Sequence, residues 1–139
     1  MKKFILTLFL IGSFVFANAQ AQTGLIWKNA ILRSDGQTSL NGVEAFCAKT
    51  TCQGEQYILI KFKNNTNAKV SVEWVDAIFV NQNWYYSTNP NPKKFYVDAN
   101  STVEGMCGGE IKLQVKINSI IQDPLTFEHF TVSGLAINK

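Results

Sequence analysis

One histidine, three cysteines and a run of aromatic rings are the residues of this 139-residue chain with chemistry to offer. His129 stands alone, which leaves a histidine-based metal centre short of ligands. Cys107 with His129 would make a thiol nucleophile and its base, and Ser133 with His129 and Asp123 a hydroxyl triad. Ser133 lies four residues from His129 in one extended run, about 13 Å along it, too far for a hydrogen bond. Glu73 and Asp76 fall on opposite faces of a single run, so a two-carboxylate hydrolase would have to take its partners from separate strands. The residue types are present without the spacing that catalysis needs. No catalytic residue, metal or cofactor is assigned, and His129 is expected to be a partly buried strand residue.

The aromatic run is more suggestive. Asn83-Trp84-Tyr85-Tyr86-Ser87 is followed, after Asn89-Pro90-Asn91-Pro92, by Lys93-Lys94-Phe95-Tyr96. Alternate residues of a strand share a face, so Trp84 and Tyr86 point one way and Tyr85 the other. One of those faces points away from a core. Exposed rings beside amides and ammonium groups can stack on a sugar or anchor a protein partner. Trp84, Tyr86, Lys93 and Lys94 are therefore the candidate contact residues.

Other motifs are weaker. Asp98 to Glu104 carries oxygen-bearing side chains at alternate positions, as calcium loops do. Val103 stands where an EF-hand loop needs glycine, and Asp98 is the only carboxylate before Glu104, so a polar turn is expected. Gly105 and Gly108-Gly109 flank Cys107 without the lysine and hydroxyl pair of a phosphate-binding loop, and conformational freedom around a bridged cysteine accounts for them. Asn64-Asn65-Thr66 and Asn100-Ser101-Thr102 match the N-glycosylation sequon and are read as surface turns.

The elements that must position these residues are strands. Ile58, Ile60 and Phe62 alternate with Leu59, Lys61 and Lys63, and Val70, Val72, Trp74, Asp76, Ile78 and Val80 alternate with Ser71, Glu73, Val75, Ala77 and Phe79. Ile111, Leu113, Val115 and Ile117 alternate with Lys112, Gln114, Lys116 and Asn118. Asparagine-rich turns separate the runs. The spacing predicts a hairpin of Tyr57 to Lys63 with Lys69 to Val80. Further strands are predicted over Trp84 to Ser87, Lys93 to Val97, Thr102 to Met106, Ile111 to Asn118 and Phe127 to Ile137. Leu25 to Leu32 and Gly42 to Cys47 supply one or two more. About seven to nine short antiparallel strands make an all-β chain, a sandwich or small barrel.

Residues 1–19 read as an export signal: Lys2 and Lys3, an apolar run from Phe4 to Phe16, and the small-x-small site Ala17-Asn18-Ala19. A second site at Ala19-Gln20-Ala21 would leave Gln22 first in place of Gln20. No cysteine follows either site, so a soluble periplasmic or secreted protein is expected, not a lipoprotein. Residues 20–139 form one domain, roughly the size that supports a single core. Without Lys2 and Lys3, eleven basic residues face ten acidic ones, a net charge of +1. Nucleic-acid binding needs a strong basic excess, and no further apolar run is long enough to span a bilayer. In an oxidising compartment Cys47, Cys52 and Cys107 are expected to form one disulfide. Cys52 and Cys107 each precede a strand-like run, which favours that pair, with Cys47 and Cys52 as the alternative. Closing the longer loop would stabilise the fold by roughly 3 to 4 kcal/mol.

The order Cys52, Trp74, Cys107 resembles an immunoglobulin-like domain, in which a strand tryptophan packs on an inter-sheet disulfide. From Gln56-Tyr57-Ile58-Leu59-Ile60-Lys61-Phe62 through Val103-Glu104-Gly105-Met106-Cys107 the chain is also similar to small exported proteins of Gram-negative bacteria without assigned function. The resemblance implies a single immunoglobulin-like β-sandwich and an envelope or extracellular location. The expected function is a non-catalytic binding module for a protein or a glycan. The alternatives are a small hydrolase and an accessory subunit that pairs through sheet edges.

Overall fold

The computed structural model describes residues 24–32, 36–88, 91–122 and 129–138. The export signal, Asp123 and Phe127 lie outside the described residues. Among the described residues ten strands run in chain order: β1 Lys28–Asn29, β2 Ser39–Leu40, β3 Val43–Cys52, β4 Glu55–Asn64, β5 Val70–Val80, β6 Asn83–Tyr86, β7 Lys93–Val97, β8 Thr102–Glu104, β9 Gln114–Lys116 and β10 His129–Asn138. They form two antiparallel sheets. In one, β3 and β4 are central, with β1 and β2 beside β3 and with β8 and β9 beside β4; in the other, β5 is central, with β10 on one side and β6 and β7 in line on the other.

Period-two alternation explains how the sheets meet. Val43, Ala45, Cys47, Ile58, Ile60, Phe62 and Val115 of the six-stranded sheet share one buried cluster with Val70, Val72, Trp74, Ile78, Val97 and Phe130 of the four-stranded sheet. Phe62 and Trp74 meet across the interface edge to face, ring centroids 4.8 Å apart, a contact worth about 1 kcal/mol beyond the area it buries. The chain is an all-β sandwich.

The predicted hairpin of β4 with β5 does not form: the two strands lie in different sheets. The partner of β4 is β3, joined through Gln53 (φ 51°) and Gly54 (φ 83°). Two successive left-handed residues turn a hairpin with the twist its strands need, and Asn41-Gly42 and Asn81-Gln82 do the same before β3 and before β6. The crossing from β4 to β5 is held by Asn64, which is 1% exposed. Its amide nitrogen donates to the carbonyls of Ala68, Val97 and Asp98, and its oxygen accepts from the amide and hydroxyl of Thr66. The Asn64 sequon is therefore a buried clamp rather than a surface turn.

Ile111 to Asn118 is also not one strand. It is a 3-10 turn at Ile111–Leu113, the short β9, and a second 3-10 turn at Ile117–Ser119. Leu113, Val115 and Ile117 are buried as the alternation implies, but Ile111 is 77% exposed because the chain is coiled there.

Cys52, the last residue of β3, is bonded to Cys107 in the loop after β8, with Cα atoms 5.5 Å apart. Both belong to the end of the six-stranded sheet, so the bridge does not join the two sheets. Cys47 is the remaining thiol, buried in the core.

Candidate functional site

The register of β5 settles which side chains share a face. Val72, Trp74 and Ile78 point into the core, so Ser71, Glu73, Val75, Ala77 and Phe79 point outward. On β6, Trp84 lies opposite Phe79 and Tyr86 opposite Ala77, both outward; Tyr85 lies opposite Ile78. On β10, His129 lies opposite Phe79. One row of rings thus crosses three strands: His129 stacks on Phe79 with centroids 6.0 Å apart, and Phe79 meets Trp84 at 4.7 Å. Tyr86 stands two positions along β6 from Trp84, about 7 Å by strand rise. Trp84 is 38% exposed, Tyr85 42%, Tyr86 53% and Tyr96 57%. Tyr85 takes the inward parity yet stays accessible at the margin of the sheet.

The two candidate lysines part company. Lys94 lies opposite Glu73 and Lys93 opposite Trp74, so Lys94 faces outward and Lys93 inward. Lys93 Nζ sits 2.7 Å from Asp76 Oδ2 and 3.3 Å from the carbonyl oxygen of Gln114 on β9, tying the sheets together. Trp74 Nε1 donates to Asp76 Oδ1 at 2.9 Å. Asp76 is 3% exposed, and a buried carboxylate is tolerable only with such partners. Lys93 therefore does not share a face with Trp84 and Tyr86.

Lys94 Nζ is 2.6 Å from Glu73 Oε1, and that carboxylate holds the ammonium pKa above its ordinary value. Lys94 and Lys69 approach the Tyr96 ring at 5.8 and 5.9 Å, and Lys69 is paired with Asp98 at 3.0 Å. The outward face has two ends. One is the aromatic shelf of His129, Phe79, Trp84 and Tyr86; the other is Lys94, Tyr96, Lys69 and their acids. Ala77 and Glu73, opposite Tyr86 and Lys94, are four positions apart on β5, about 13 Å.

No protein-family model, curated protein or solved structure matches the chain. The face itself thus carries the functional reading.

The remaining candidates resolve individually. Cys107 is in the disulfide and offers no thiolate to His129. His129 is exposed rather than partly buried, because it opens β10 at the rim of the sheet. Asp123 lies outside the described residues, and Ser133 sits in β10 opposite Val75. Glu73 and Asp76 do face opposite ways, and each is engaged by a lysine. In the stretch from Asp98, that carboxylate serves Lys69 and its carbonyl accepts from the Ser101 hydroxyl. Among the described residues no three His, Cys, Asp or Glu side chains are grouped to hold a metal. Gly105 is needed for close packing: its N–H donates to the Ile60 carbonyl at 2.8 Å, and a Cβ there would collide with the Leu113 carbonyl. Burial pushes the Cys47 thiol up to about 11, which leaves it a packing residue at neutral pH.

Sequence reasoning put Trp84 and Tyr86 on one face and named Lys94, which the register brings to that face, but it did not name Phe79 and His129 as neighbours of Trp84. The signal for Phe79 was present: it is the one aromatic among the outward residues of β5. His129 could be placed only by the pairing of β10 with β5.

Proposed function

We propose that this protein is a non-catalytic exported binding module whose contact surface is the outward face of the four-stranded sheet. The observation that carries the reading is that Trp84, Tyr86 and Tyr96, all outward on β6 and β7, are each more than one-third exposed. An exposed leucine needs no explanation, but several large rings gathered on one face mark an interaction site. Trp84 and Tyr86 stand at one end of it, with Lys94 and Tyr96 at the other. The Cys52–Cys107 disulfide suits an oxidising compartment, in keeping with the export signal expected at residues 1–19. No helix among the described residues is long and apolar enough to cross a membrane.

The test is a photoreactive phenylalanine analogue at position 86, irradiated in the cell that expresses the protein. Crosslinks that form in the parent background and vanish with Trp84→Ala are expected. The variant should unfold within about 1 kcal/mol of the parent, since it loses only a surface ring contact with Phe79. Loss of fold, or crosslinking indifferent to Trp84, would remove the face from consideration.

A further inference from the structure

We infer that the ligand of this face is an uncharged polysaccharide chain, an inference that rests on the binding reading above and specifies its chemistry. Charge is the first ground. Among the described residues, the ammonium groups on the outward face are cancelled within it: Lys94 by Glu73 at 2.6 Å and Lys69 by Asp98 at 3.0 Å. Lys93, the remaining cation of β7, is turned inward onto Asp76. To pair with an ammonium or carboxylate of these pairs, an anionic or cationic ligand would have to break one of them, whereas an uncharged one leaves them intact. Electrostatic complementarity, which selects charged partners, here selects against them.

The second ground is the chemistry beside the rings. Trp84 and Tyr86 sit outward on β6, directly after the turn Asn81-Gln82 and Asn83. Asn81 and Gln82 are exposed at that turn, while Asn83, opposite Val80, takes the inward parity and donates its amide to the Asn81 carbonyl at 2.9 Å. Each amide can both donate to and accept from a hydroxyl. Sugars present that combination: an apolar face of C–H groups for a ring and an edge of hydroxyls for amides. A row of rings continued along the strand, about 7 Å from Trp84 to Tyr86, offers stacking positions to successive sugars of a chain rather than to one monosaccharide.

Native affinity electrophoresis of the full chain, in gels cast with galactomannan, xyloglucan or polygalacturonate, tests this. Retardation by a neutral polymer is expected, unchanged in 0.5 M salt because no ion pair forms with the ligand. Trp84→Ala should weaken it at least about tenfold, as truncating a central aromatic anchor does. Lys63→Ala, on the other sheet, should leave it unchanged. Retardation by polygalacturonate alone, lost in salt, would overturn the uncharged class. No retardation by any polymer, with Trp84-dependent crosslinks to a protein, would overturn the glycan inference and leave the binding face standing. No retardation together with no such crosslinks would overturn both.

Discussion

Asp76 shows how one residue decides where its neighbours can act. Its carboxylate is out of water and is held by the Trp74 indole N–H and the Lys93 ammonium. Lys93→Met would strand that charge, and we expect a loss of about 3 kcal/mol in urea unfolding, with Asp76→Asn in the same chain restoring more than half. Cys47 makes the second prediction. Burial raises its thiol pKa to about 11, so the folded state keeps a proton that the unfolded chain releases at lower pH. The associated stability is complete below the ordinary thiol range and is lost as pH rises through about 11. Urea midpoints measured from pH 8 to 11 should fall less steeply in Cys47→Ala than in the parent. In the native state at pH 8 Cys47 should also resist alkylation, reacting only on unfolding.

At the scale of elements, the clamp between β4 and β5 matters most. Asn64 satisfies three carbonyls from the β4–β5 connection and from the end of β7. Asn64→Ala should cost about 3 kcal/mol, since buried acceptors are left unpaired, and Asn64→Asp should also destabilise because a carboxylate cannot donate. Equilibrium unfolding of both variants checks this. Several strands were legible: Lys93–Val97 was placed in full, and alternation alone put Trp84 and Tyr86 on one face and Tyr85 on the other, while the register with β5 decided which face is outward. The pairing of those strands was not legible. Adjacent runs with an asparagine turn between them look like a hairpin, yet β4 and β5 part because Asn64 folds the connection across to the second sheet. Ile111 departs from its strand pattern because Glu110 holds the chain in a turn there, its carbonyl accepting from the Leu113 N–H and its carboxylate from the Lys112 N–H.

For the whole molecule, the Cys52–Cys107 bridge fastens the end of β3 to the loop after β8. Reducing it should lower stability by roughly 3 to 4 kcal/mol through the freedom returned to the unfolded chain, read as a fall in the urea midpoint with dithiothreitol. The sandwich remains held by a core that both sheets share, in which Cys52 and Cys107 take no part. The sequence by itself determined the all-β class, which residues share a face along most strands, and the favoured cysteine pair, because side-chain alternation and turn chemistry are local properties of the chain. Only the tertiary structure decided which strands share a sheet, that Lys93 turns inward while Lys94 turns out, and that His129 and Phe79 extend the Trp84 shelf. Those outcomes depend on contacts between residues far apart in sequence, where the burial of one carboxylate and the register of one strand pair settle what no local pattern encodes.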